Sequence, residues 1–264
     1  MARLDSVNIG RPRPNPHKET GWTGIGKQPT LESVEVRAPG PKTSGLGSGL
    51  VGDFIGDGKH HGGDRQAVYA FQREDLDEWE RRLARELPNG FFGENLTTLG
   101  LEINDARIGE RWRVGREVVL QVTAPRIPCA TFRGWMGEKG WAKRFTAVGR
   151  PGAYLSVISS GTISTGDPIE VIDQPEHGVS IGLVFRATTT ERDLLPRLLA
   201  ADLPRPQHAR DGAPPRGLLD GLASDLLAEI CRARECGNIT GASLAQPTAN
   251  LLKRRSFDPG KSSR

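Results

Sequence analysis

Apolar positions along this chain fall into short runs broken by glycine and proline, and the spacing inside each run indicates the element it builds. Residues 34–37 alternate apolar and polar at period two, which predicts a half-buried strand. Residues 66–71 are mostly apolar and predict a buried one. Residues 114–122 fit a hairpin with Gly115-Arg116 near its bend. Residues 153–159 and 168–172 predict two further strands, joined by a turn running from Ser160-Gly161 to Gly166-Asp167. One helix is clear over residues 74–87, where Leu76, Trp79, Leu83 and Leu87 recur at steps of three and four and Pro88-Asn89-Gly90 stops the chain. Phe132, Trp135, Trp141 and Phe145 also space helically, but Gly134, Gly137 and Gly140 interrupt them, so helix is expected there only in pieces. Two more helical patterns follow at 191–201 and 218–234, with Pro204-Arg205-Pro206 and Pro214-Pro215 between them.

The resulting expectation is mainly β with some α. An N-terminal extension occupies residues 1–19 and a β-rich domain 20–175. A small helical appendage follows at 176–236, then a basic, disordered tail at 237–264. The 33 glycines and 19 prolines in 264 residues agree with many short strands joined by loops. A net charge of +4 suits an anionic ligand and is too diffuse to argue for nucleic acid. The first residues contain no apolar stretch, and no apolar run is long enough to span a bilayer, so a soluble, cytoplasmic protein is expected. Cys129, Cys231 and Cys236 make no disulfide framework, and the Cys231/Cys236 spacing lacks the second ligand pair of a zinc site. The glycine-rich stretches match no Walker or dinucleotide signature, and no Gly-x-Ser-x-Gly elbow is present.

Candidate chemistry concentrates in three polar loops, at residues 57–65, 93–98 and 125–129. In the last, Pro125 and Pro128 stiffen the backbone on which Arg126 and Cys129 sit, three residues apart at the end of a strand. A neighbouring cation lowers a thiol's pKa, and the thiolate is the form that attacks electrophiles or ligates metals. A buried cysteine packed as a small hydrophobe explains the octapeptide equally well.

Four segments, taken in order, carry a family resemblance. They are GDFIGDGKHHGGDRQAVYAF (52–71), FFGENLTTLGLEINDARIGERW (91–112), QVTAPRIPC (121–129) and GRPGAYLSVISSGTISTGDPIEV (149–171). Together they resemble the MOSC domain, named for the C-terminal domain of molybdenum cofactor sulfurase, and in particular its standalone bacterial branch, the YiiM type. The resemblance covers roughly residues 20–172. A looser likeness extends over 177–209, to the small three-helix domain that follows MOSC in that branch.

The resemblance implies a β-barrel-like fold that binds a molybdopterin-type molybdenum cofactor, with Cys129 as the metal ligand. Arg126 would bind the pterin phosphate or tune the thiolate. His61, on the family's His-Gly-Gly segment, would hydrogen-bond the cofactor or deliver protons. Asn95 and Thr97 would donate hydrogen bonds to the cofactor, and Lys27 and Arg65 are candidate phosphate partners. Asp53 and Asp57 fall on aspartates of the pattern, and a turn-capping role is the better reading for Asp57. His60 has no counterpart and is expected to face solvent. The implied activity is reduction of N-hydroxylated small molecules such as hydroxylamines, hydroxylamino-purines and amidoximes. A separate flavin or iron–sulfur protein would supply electrons, because the chain carries no nicotinamide, flavin or iron–sulfur signature of its own. Two other readings stay open: a sulfur-carrier or cofactor-handling protein using a Cys129 persulfide, and a non-catalytic binding module.

Overall fold

The computed structural model describes residues 1–201. Twelve strands and four α-helices follow in chain order. The first strands are β1 (Arg3–Ile9), β2 (Arg13–Pro14), β3 (Trp22–Thr23), β4 (Gln28–Thr30), β5 (Val34–Val36) and β6 (Val68–Gln72). Helix α1 (Arg73–Leu83) precedes β7 (Leu96–Leu99), β8 (Arg111–Val114) and β9 (Val118–Pro125). Helices α2 (Ala130–Met136) and α3 (Trp141–Val148) lead to β10 (Ala153–Ser159), β11 (Gly161–Ile163), β12 (Ile169–Asp173) and α4 (Ile181–Thr189). Eight strands make one sheet in the order β12-β8-β9-β10-β6-β7-β1-β4. Neighbours run antiparallel except β6 and β7, which α1 connects in parallel.

The sheet curls until its ends meet. β4 pairs with the second half of β1. The first half of β1 instead takes the residues just before β12: Leu4 N–H donates to Asp167 C=O, Gly166 N–H to Leu4 C=O and Ile169 N–H to Ala2 C=O, each at 2.9 Å. Residues 1–19 are therefore not an extension. β1 lies inside the sheet, between β7 and the approach to β12, with Leu4 and Val7 fully buried. Its pattern hides this because polar Ser6 and Asn8 also point inward. They satisfy each other (2.8 Å), and Asn8 continues to the Thr97 hydroxyl (2.9 Å). Buried polar groups are tolerated when paired in this way.

Two apolar clusters form the core of the described residues. One lies within the curled sheet and includes Leu4, Val68, Leu96, Trp112, Leu120 and Leu155. The other is aromatic and packs α1, α2 and α3 against the sheet; it contains Trp79, Phe92, Phe132, Trp141 and Phe145. In it Phe92 meets five of its neighbours edge-on, for example Phe132 at 5.1 Å between ring centroids, a geometry the ring quadrupoles favour. The second cluster forms the floor of the candidate site.

The interrupted aromatic segment is two helices, each ending at a left-handed glycine, Gly137 and Gly149. α1 stops earlier than residue 87, at Ala84, which takes a left-handed φ of 50° while its N–H bonds the Glu80 carbonyl. The turn expected between β10 and β12 contains a strand, β11, paired with β5. Leu183 and Val184 of α4 join the core inside the sheet and Phe185 joins the aromatic cluster, so the appendage's first helix is integral to the domain. A 3-10 helix over Arg192–Ala200 follows it. The helical pattern at 218–234 and the tail at 237–264 lie outside the described residues. Among the described residues no helix is long and apolar enough to cross a membrane.

Candidate active site around Cys129

β9 ends at Pro125, and residues 126–128 carry the chain to Cys129, the residue before the first turn of α2. Cys129 has extended backbone (φ −96°, ψ 174°), and its carbonyl accepts the Arg133 N–H at 3.0 Å, starting the helix. The thiol is left facing the free N–H end of α2. Burial alone would push this thiol up. The side-chain hydrogen bond from His61, the positive charge of Arg126 and the Phe132 N–H outweigh it and bring it down to about 6. At neutral pH Cys129 is a thiolate.

Arg126 is buried, at 6% exposure. Its guanidinium lies 3.8 Å from the centre of the Phe132 ring and 5.1 Å from that of Tyr69, and it donates to the Phe92 carbonyl. Aromatic faces hold a cation without neutralising it, so the charge remains available to the thiolate. Strand pairing sets Tyr69 opposite Tyr154 across β6 and β10, with ring centroids 5.2 Å apart. Burial pushes both phenols up, so they remain neutral donors. Of the two roles expected for Arg126, the structure provides for tuning the thiolate. Enclosed by rings, the guanidinium is not presented to a phosphate.

His61 reaches Cys129 from the loop at 57–65. The His60 and His61 N–H groups both bond the Asp57 carbonyl (3.2 and 3.0 Å), and Gly62 and Gly63 then adopt left-handed φ values of 77° and 75°. Side chains other than glycine resist that conformation, which gives the His-Gly-Gly run its physical reason. The Asp57 carboxylate binds Lys18 and the His60 ring. Burial would raise its pKa, and those two partners bring it down to about 2. Asp57 therefore ties the loop to the N-terminal segment, in keeping with a structural role. The His60 ring is mostly exposed, as expected. From the preceding loop Lys42 donates to the His60 carbonyl (3.2 Å), and Arg65 lies close enough that its charge, after burial, depresses the Lys42 amine. The Arg65 carbonyl is fixed by the Thr123 hydroxyl of β9 at 2.6 Å.

Three expected cofactor contacts are corrected. Lys27 is buried and ion-paired with Asp53, whose side chain is fully enclosed. Asp53 also accepts from Gly10 N–H (2.7 Å), the Ser48 hydroxyl (2.6 Å) and the Asn95 amide (2.9 Å). Asn95 is 4% exposed; the same amide nitrogen also donates to Asn8 C=O, and its side-chain oxygen accepts the Tyr69 N–H. Thr97 is fully buried between Asn8 and the Glu94 carboxyl. Lys27, Asn95 and Thr97 are spent on locking loops together, Thr97 fully buried and Lys27 and Asn95 nearly so. The hubs of this network, Asp53, Asn8 and Glu94, carry no local signal in the sequence because their partners lie up to 89 residues away.

The N-terminal segment roofs the site. Asn15 donates to Thr131 of α2 (2.9 Å), and Arg13 lies 4.8 Å from the centre of the Trp135 ring. The His17 ring fills the space that a Cβ at Gly134 would need.

Among the described residues no three His, Cys, Asp or Glu side chains converge as a metal cage. Cys129 is a single soft donor. It suits a metal that arrives with ligands of its own, as molybdenum does on a sulfur-bearing pterin, and the donor set fits that group.

Comparison with known proteins places the chain in a family. The MOSC domain model matches residues 57–170. YflK of Bacillus subtilis, an uncharacterised protein, is 32% identical over 182 residues, covering 69% of this chain and 78% of YflK. The chain belongs to the MOSC family, and its architecture is of the YiiM type. The crystal structure of YiiM from Geobacillus stearothermophilus superposes with a TM-score of 0.60 at 25% identity, over 75% of this chain and 91% of that one. A protein named a reductase in Gibberella moniliformis is 30% identical over 155 residues, which are 56% of this chain and 27% of that protein.

Proposed function

We propose that this chain is a molybdenum-dependent reductase of N-hydroxylated small molecules, with Cys129 as the protein's ligand to the metal. The observation that carries the reading is Cys129 itself, a thiolate at neutral pH between His61 and Arg126 at a strand end. The kinship with a reductase-named protein supports an enzyme of this general class. Reduction of a hydroxylamine takes up two electrons and two protons, breaks the N–O bond and releases an amine and water. Bound molybdenum supplies the two-electron change. Of the chain's residues, Cys129 holds the metal, Arg126 keeps the sulfur anionic, and His61 holds a proton beside it. Lys42 and Arg65 are the cations on the adjoining loops that would meet an anionic tail. Electrons come from a separate flavin or iron–sulfur protein.

The test is turnover of a hydroxylamine by full-length protein from a cofactor-producing host, with a chemical reductant in place of the partner. Amine formation by the parent and its loss by at least a hundredfold in Cys129→Ala, with unchanged melting, supports the proposal. Equal rates contradict it. Cyanide-releasable sulfur on Cys129 without metal would move the reading to the sulfur-carrier alternative.

A further inference from the structure

The N-terminal roof is fastened unevenly. Its stem, β2 paired with β3, is wedged in place. A Cβ on Gly24 would lie 1.9 Å from the Phe54 carbonyl oxygen, and one on Gly56 2.1 Å from that of Trp22. Gly10 N–H, at the foot of the stem, is held by the enclosed Asp53 carboxylate. The tip, residues 15–21, closes on itself through Asn15 N–H to Gly21 C=O (2.8 Å). None of its residues belongs to either apolar cluster, and Asn15 alone is buried. Outside the hairpin the tip is held mainly by polar contacts at two points. Asn15 donates to the Thr131 hydroxyl of α2 at 2.9 Å, with the His17 ring lying over Gly134 of the same helix, and Lys18 pairs with Asp57 on the His61 loop. The tip therefore bridges the helix that begins beside Cys129 and the loop that carries His61. Segments with few buried apolar contacts open locally at little cost.

We propose that residues 15–21 are a strap over the Cys129 site, which lifts from the fixed stem when Asn15 leaves Thr131 and Lys18 leaves Asp57, and so admits bulky ligands to the sulfur. This rests on the reading of Cys129 as the group a ligand must reach. With the strap closed Cys129 is half-buried, so a small molecule reaches the sulfur directly. A molecule as large as a pterin needs the strap to open. The device is a gate on size, and its two clasps set how often it opens.

The test compares two thiol reagents, small iodoacetamide and bulky fluorescein maleimide, on the full-length, cofactor-free chain at a single pH, with the modified cysteine located by peptide mass mapping. Each rate is divided by that of the same chain in denaturant, which removes the reagents' intrinsic reactivity. A change in the thiol itself moves both rates alike, so the bulky-to-small ratio reads access. The parent's ratio should lie about a hundredfold below one, an opening equilibrium of about 2.7 kcal/mol. Asn15→Ala and Lys18→Met should each raise it about fivefold, the effect of one lost polar contact of about 1 kcal/mol. In both, the iodoacetamide rate should stay near the parent's. Lys18→Arg keeps the cation and should restore the parent's ratio. If Asn15→Ala does not fold, the Lys18 pair decides alone. A parent ratio near one, or a ratio that neither clasp variant moves, overturns the proposal. Neither rate involves molybdenum or turnover, so its failure is separable from failure of the reductase reading.

Discussion

Cys129 owes its lowered pKa to the His61 hydrogen bond and, next, to one buried cation. Arg126 is bonded to a carbonyl and flanked by two aromatic rings, with no carboxylate ion-paired to it among the described residues. Replacing it with methionine, similar in length and apolar, should leave the fold intact, because it removes a buried charge and breaks no ion pair. The thiol then keeps its burial penalty and His61 but loses the charge that opposes that penalty. The midpoint of Cys129 alkylation should rise from about 6 by roughly one unit, a tenfold loss of thiolate in the acid limb. An unmoved midpoint would place the cause elsewhere. The sequence exposes Cys129, Arg126 and His61 because each lies in a short motif whose reason is local: stiff prolines, a strand end, two left-handed glycines. It misleads at Asn95, Thr97 and Lys27. Polar groups on glycine-rich loops resemble ligand contacts when their real partners, Asp53 and Asn8, are distant in the chain.

At the scale of elements, periodicity identifies α1, the β8–β9 hairpin and the broken α2–α3 pair, since each buries one regular face. Ends and short pairings are less legible. The apolar spacing through Leu87 suggests a helix running to the proline, but Leu87 is buried from outside the helix, after the chain has turned at Ala84. β11 spans three residues and exists only through its pairing with β5, more than 120 positions earlier, which no local pattern announces. Ala84 holds a left-handed φ that glycine adopts without a Cβ penalty. Ala84→Gly should therefore stabilise the protein by about 0.5–1 kcal/mol, read as a higher denaturant midpoint with an unchanged slope. A lower midpoint would show that the turn is not strained.

At the scale of the molecule, the curled sheet brings the three polar loops into register. β9 delivers Cys129 and Arg126. The turn before β7 delivers the Phe92 carbonyl. The Asp53 hub and the Asp57–Lys18 pair hold the His61 loop and the N-terminal roof in place. The family was legible from the ordered segments. The place of β1 was not, because its inward Ser6 and Asn8 disguise a core strand. The central claim is that Cys129 holds molybdenum, and the most direct measurement is the metal content of full-length protein from a cofactor-producing host, beside Cys129→Ala. The account predicts close to one molybdenum per parent chain, with pterin fluorescence after oxidation, and a molybdenum content at least tenfold lower in the folded variant. Equal molybdenum in both, or none in the parent, would contradict it.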